Sequence, residues 1–255
     1  MKQRLQSSVI IAAITIASLY FGGTLLKAVL IFIGVYGSYE FIKIHKDKFN
    51  YLLFALMAAA VLCLLFLNQY HVVIMLFEII ILMSIGVFDD SESFADVSAV
   101  FLLSMMIGYA LYYISYIQEL NKWMIGYVVI ISYMCDSFAY LIGIRFGKHK
   151  LNSKVSPKKT IEGSVGGWIF ATIISFFWAM IFNFFGYPPV VFVVTSLLLP
   201  LASEIGDLSF SLVKRHYGVK DFSNLIPGHG GILDRLDSNI FCIILFGALL
   251  TLFIR

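Results

Sequence analysis

VSAVFLLSMMIGYALYYISYI, residues 97–117, carries no charge from end to end. An apolar stretch of roughly 18 or more residues is long enough to cross a bilayer as a helix. The chain repeats this pattern at about 8–21, 25–43, 51–67, 70–88, 123–143, 165–186, 189–206 and 238–254. The reading is an all-α, polytopic integral membrane helical bundle with about nine transmembrane helices. Composition agrees: the 255 residues are 60% hydrophobic and 13% charged, whereas soluble domains hold roughly 45–50% apolar and about 25% charged residues. So many spans leave little chain for a separate soluble fold. Residues 1–255 read as one membrane domain, with N-terminal helices over 1–120 and a C-terminal half, 121–255, that carries the chemistry. Lys2 and Arg4 precede the first run as in a signal peptide, but no small-x-small site leads into a soluble chain, so the run reads as a retained helix. Cys63, Cys135 and Cys242 lie in apolar runs with no CxxC or metal spacing.

The bases orient the bundle. With a cytoplasmic N-terminus, the inner segments are 1–7, 44–50, 89–96, 144–164 and 207–237. Together with Lys43 they hold all of the 18 bases except Lys27, Lys122 and Arg255, as the positive-inside rule requires. The two longest connections, 144–164 and 207–237, then face the cytoplasm, and chemistry on a soluble substrate is expected there. The inner membrane of a bacterium is the location that fits. The acidic segment FDDSESFAD, residues 88–96, carries Asp89, Asp90, Glu92 and Asp96. It lacks DDxxD spacing and reads as a solvated turn.

Ionisable residues inside membrane spans are expensive and mark function. Asp136 lies in the inner half of its span. Glu204 and Asp207 are three apart, Asp207 and Ser211 four apart, and each pair shares a helix face. Lys214 and Arg215 continue that phase, and Asp234 and Asp237 repeat the three-residue step. Hard carboxylate oxygens beside clustered bases suit a divalent cation bound together with phosphates. Pro227-Gly228-His229-Gly230-Gly231 is a turn whose glycines permit positive φ and whose successive N–H groups can cradle an anion. The other long connection, LNSKVSPKKTIEGSVGG at 151–167, adds Lys158, Lys159, Thr160 and Glu162. A Walker A loop, HExxH and GxSxG are all absent.

The stretch SLVKRHYGVKDFSNLIPGHGGILDRLDS, residues 211–238, resembles the signature of the phosphatidate cytidylyltransferases, the CDP-diacylglycerol synthases. That signature runs Ser-x-x-Lys-Arg, four residues, Lys-Asp, a small residue, a Pro or Gly, then His-Gly-Gly-x-x-Asp-Arg-x-Asp. Ser211, Lys214, Arg215, Lys220, Asp221, Ser223, Pro227, His229, Gly230, Gly231, Asp234, Arg235 and Asp237 meet it without departure. The likeness continues through Gly206-Asp207, SPKKTIEG at 156–163, and Asp136, Ala139, Tyr140 and Gly143. The first 120 residues are similar only as hydrophobic spans.

The resemblance implies transfer of the cytidylyl group from CTP to phosphatidic acid, giving CDP-diacylglycerol and pyrophosphate. A lipid phosphomonoester is largely ionised at neutral pH, so the demand is for charge cancellation and alignment. Resemblance and chemistry together make Asp207 and Asp234 the first choices as metal ligands, with Asp136, Asp221 and Asp237 behind them. Lys158, Lys159, Lys214, Arg215, Lys220 and Arg235 are expected on the triphosphate or the lipid phosphate. Thr160, Glu162, Ser211, Gly230 and Gly231 are expected in substrate binding, His229 in orienting a phosphate or backbone group, and Glu204 behind the metal ligands. Mg2+ is the implied cofactor, with Mn2+ as a substitute and room for a second, monovalent or divalent, cation. CTP, phosphatidic acid and membrane lipids are the implied partners; a homodimer is compatible and nucleic acid is not expected. Two other readings stay open at this stage: a CTP-using lipid kinase, and a transporter of an anionic solute.

Overall fold

The computed structural model of the chain describes residues 13–45, 48–182, 187–226, 228 and 230–253. Residues 13–21 are helical. There follow α1 (Gly23–His45), α2 (Tyr51–Phe66), a 3-10 turn (Asn68–Tyr70), α3 (His71–Phe88), α4 (Phe94–Leu120) and α5 (Lys122–Phe146). A hairpin of β1 (Lys150–Asn152) and β2 (Ser156–Thr160) leads to α6 (Ile161–Ile181), α7 (Pro189–His216) and α8 (Leu233–Phe253). Among the described residues seven helices are long and apolar enough to cross a membrane, and they coincide with seven of the nine expected spans. α2 is apolar but has 16 residues, about 24 Å at 1.5 Å per residue, short of a hydrocarbon core of about 30 Å. The expected first span begins among residues outside the described ones. Large side chains such as Phe77, Ile80, Phe177 and Leu252 are exposed, as the outer faces of a lipid-solvated bundle should be. This is an integral membrane protein.

The chain divides into two compact units. The first holds Met1–Ser115 and Asp221–Asp234. In it α1 and α2 pack closely, and α4 meets α3 through a buried hydrogen bond from Ser104 Oγ to the Glu78 carboxylate. The segment 88–96 is only partly the expected solvated turn. Asp89 and Asp90 are exposed, but Glu92 is buried.

The second unit holds Tyr116–Lys220 and Arg235–Arg255. Its centre is α5 against α6. A Cβ at Gly163 would stand 2.5 Å from the Ala139 carbonyl oxygen, and one at Gly167 would stand 2.6 Å from that of Cys135. The two glycines, four apart, therefore let the α6 backbone rest on the α5 backbone, the small-xxx-small solution for helices in lipid. α7 adds a buried knot in which the Tyr127 hydroxyl lies 2.9 Å from Thr195 Oγ1 and 2.8 Å from Ser196 Oγ.

α7 also contains Pro200. Proline has no N–H, so the Ser196 carbonyl loses its helical donor. Thr172 Oγ1 of α6 donates to that carbonyl at 3.0 Å, and Trp168 Nε1 donates to Leu197 O at 2.8 Å. Neighbouring side chains thus replace the bond that proline removes, as they must where water is absent. Thr172→Val should lower stability in detergent by about 1 kcal/mol. Adding Pro200→Ala supplies an N–H to Ser196 O and should recover most of that loss in thermal unfolding; a purely additive double variant contradicts the pairing.

Candidate active site

The hairpin answers what the connection 144–164 does. The sequence carries no strand signal there, because β2 holds Pro157 and no apolar alternation. Asn152 Oδ1 accepts from the N–H groups of Lys154 and Val155 and closes the turn. Thr160 Oγ1 accepts from Gly163 N at 3.2 Å and caps α6. Glu162 accepts from Lys148 N at 3.0 Å and meets His149 Nδ1 at 2.5 Å, tying the end of α5 to the start of α6. Successive strand residues face opposite ways. Lys158 is exposed, whereas Lys159 turns inward.

Lys159 Nζ lies 2.9 Å from Glu204 Oε2 and 2.6 Å from Asp207 Oδ2. Ser164 Oγ donates to the same Glu204 oxygen at 3.2 Å. Burial alone would lower the pKa of the Lys159 ammonium, but the charges of Asp207 and Glu204 outweigh it and hold the value above that of ordinary lysine. The contribution of this group to stability is therefore fully present below about 10.4, the ordinary lysine value, and is lost only as pH rises through the higher folded value. Lys159 is charged throughout any practical assay range.

More carboxylates gather in the same unit. Asp136 of α5 feels the charges of Lys159, Asp207 and Glu204, and accepts from Ser238 Oγ at 3.2 Å. Asp237 in the first turns of α8 feels Asp207, Lys214 and Asp136. Its Oδ2 is 3.9 Å from Lys214 Nζ, and its Oδ1 accepts from Ser238 N at 2.8 Å. α7 and α8 approach closely there, since a Cβ at Gly206 would meet the Asp237 carbonyl at 2.7 Å. The structure thus brings together Asp136, Lys159, Glu204, Asp207, Lys214 and Asp237. Ser211 is half-buried one turn beyond Asp207, while Lys158, Arg215, Lys220 and Arg235 are exposed. Arg215 Nη1 donates to Val219 O at 2.8 Å.

The rest of the signature belongs to the first unit. Asp221 is exposed. Asp234 Oδ2 accepts from Phe222 N at 2.8 Å and from Gly231 N at 2.9 Å, closing the loop onto the start of α8. Gly230 has φ of 82° and bridges to Ile226, so that position requires glycine. His229 lies outside the described residues. The loop has a partner that the sequence reading passed over: Glu40 of α1, fully buried. Its Oε1 accepts from Ser223 Oγ at 2.6 Å and Ile232 N at 2.9 Å, and its Oε2 accepts from Leu233 N at 2.9 Å. A carboxylate thus satisfies the first N–H groups of α8, where the helix dipole also favours negative charge. A Cβ at Gly231 would collide with that carboxylate.

A profile of the cytidylyltransferase family matches residues 2–253. The chain belongs to the cytidylyltransferase family. Among the similar proteins is a phosphatidate cytidylyltransferase of Bacillus subtilis, 33% identical over 99% of this chain and 98% of that one. Others of the same name come from Staphylococcus saprophyticus, 37% identical over 63% of this chain and 62% of that one, and Staphylococcus aureus, 41% identical over 56% and 54%.

Glu40 could have been found from the sequence. It is the only acid in the span 25–43, and an acid inside a membrane helix needs a partner. Glu40→Gln replaces an acceptor with a donor that faces backbone N–H groups. It should lower turnover by about 10- to 100-fold, the usual cost of losing a group that orients a site, with the protein still extracted and monodisperse. Limited proteolysis should then cut within 221–232 faster than in the wild type. Unchanged turnover and cleavage would show that the contact does not hold the loop.

Proposed function

We propose that this enzyme transfers the cytidylyl group of CTP to phosphatidic acid, producing CDP-diacylglycerol and pyrophosphate. What carries the reading is the half-buried cluster around Lys159, Glu204 and Asp207, in a chain similar over nearly its whole length to a phosphatidate cytidylyltransferase. An oxygen of the ionised lipid phosphate attacks the α-phosphorus of CTP. The bond from that phosphorus to the β-phosphate oxygen breaks, and pyrophosphate leaves with its electron pair. No residue needs to remove a proton, because the nucleophile is already an anion.

The work left to the protein is to bring two polyanions together. Asp136, Glu204, Asp207 and Asp237 outnumber the ammoniums of Lys159 and Lys214. Such an excess of carboxylates invites a cation, and oxygen-only donors suit Mg2+ or Mn2+. Asp136, Asp207 and Asp237 would hold it, and when bound it supplies charge neutralisation between phosphate oxygens. Asp234, a proposed ligand by its place in the signature, is oriented through Oδ2 by two backbone N–H groups. Lys159 and Lys214, each beside a carboxylate, would meet phosphate charge with little reorganisation. Lys158, Arg215, Lys220 and Arg235, exposed on flanking segments, are proposed to draw in CTP and the lipid headgroup. Thr160 and Glu162 serve by shaping the hairpin that presents Lys159. The active face is proposed to be cytoplasmic, and the bilayer to be a bacterial inner membrane.

Purified protein with phosphatidic acid, Mg2+ and CTP labelled in the cytidine ring should move label into the lipid. Label that enters only from the γ-phosphate of CTP would identify a kinase and overturn the reading. Asp207→Asn should lower turnover at least about a hundredfold, and chelation should abolish it until Mg2+ is restored. Full activity after thorough chelation would remove the cation from the mechanism.

A further inference from the structure

In the first unit, three side chains that the proposed reaction does not use converge. His45 sits in the last turn of α1, Glu92 precedes α4, and Asp96 lies in the first turn of α4. His45 Nε2 is 3.5 Å from Glu92 Oε2 and 3.9 Å from Asp96 Oδ1. The three atoms lie within 4.8 Å of one another, the only such trio of histidine, cysteine or acidic ligand atoms among the described residues. The side chains of His45 and Glu92 are 1% and 2% exposed, and that of Asp96 20%.

The spacing is informative. An N–H···O hydrogen bond spans about 2.7–3.2 Å, shorter than either separation. Two ligands each about 2.0–2.2 Å from one cation stand roughly 3–3.5 Å apart, which matches the 3.5 Å between His45 and Glu92, and the 3.9 Å to Asp96 is slightly wider. The outer oxygens are already tied down. Asn50 Nδ2 donates to Glu92 Oε1 at 3.0 Å, and Asn50 cannot turn, because its Oδ1 caps α2 by accepting from Leu52 N and Leu53 N. Asp96 Oδ2 accepts from Ser93 N at 2.9 Å and Ser93 Oγ at 2.7 Å. Each carboxylate is therefore held with its other oxygen toward the imidazole. Supporting contacts of this kind orient metal ligands.

Ligand chemistry points the same way. One imidazole nitrogen with two carboxylates favours a first-row transition ion over Mg2+ or Ca2+, which prefer oxygen alone.

We propose that His45 Nε2, Glu92 Oε2 and Asp96 Oδ1 form a site for a divalent transition cation in the Mn2+ to Zn2+ range, which clasps the end of α1 to the segment entering α4. The test uses full-length, tag-free protein in detergent, stripped with chelator and titrated with Mn2+ alone. Pulsed electron paramagnetic resonance of bound Mn2+ should reveal coupling to an imidazole nitrogen-14, which a carboxylate-only catalytic site cannot give. His45→Gln should abolish that coupling. No nitrogen coupling at saturating Mn2+, or coupling that survives His45→Gln, overturns the proposal. Should His45→Gln not be recovered folded, Asp96→Asn must weaken the nitrogen-coupled Mn2+ at least tenfold, and unchanged affinity overturns it equally.

Discussion

The ammonium of Lys159, caught between Glu204 and Asp207 at 2.9 and 2.6 Å, carries the constraint on which this protein is organised. In a chain that is 60% hydrophobic, an ionised group has little water to fall back on, so a countercharge must stand within a few ångströms. Helices alone do not deliver that lysine. The hairpin does, anchored by the Thr160 cap and by Glu162 holding the turn out of α5. Long α7 supplies the carboxylates. Its 28 residues extend about 42 Å, beyond a hydrocarbon core of about 30 Å, so its charged last turns continue from the span without a break.

The same rule governs uncharged polar groups. Pro200 strips a donor from the middle of α7, and Thr172 restores it from α6. Tyr127 puts its hydroxyl against Thr195 and Ser196. Such bonds join α5, α6 and α7 around the backbone contact at Gly163 and Gly167. The cluster of Asp136, Glu204 and Asp207 sits on helices fixed by close approach and by hydrogen bonds, not by apolar contact alone.

Much of this was legible in the chain. Uninterrupted apolar runs announced the helices, since a bilayer demands length and little else. The three-residue step between Glu204 and Asp207 marked a helix face that meets one ammonium, because periodicity is a local property. What escaped was either short or distant. β2 is too brief and too polar to register as a strand, so Lys158 and Lys159 read as equivalent although one is exposed and the other half-buried. Glu40 and Ser223 are 183 positions apart, and no local pattern links them. Glu92 lay in a segment that looked like solvated acid until His45 and Asn50 came to meet it.

The position of Lys159 is set from one side only. It stands one residue before Thr160, which caps α6 and so fixes where that helix begins. Surface turns usually absorb insertions and deletions with little consequence, and the turn that Asn152 closes lies on the far side of the ammonium. Length changes are therefore expected to accumulate between Asn152 and Ser156, and to be excluded between Lys159 and the helix start, where they would carry the charge away from Glu204 and Asp207.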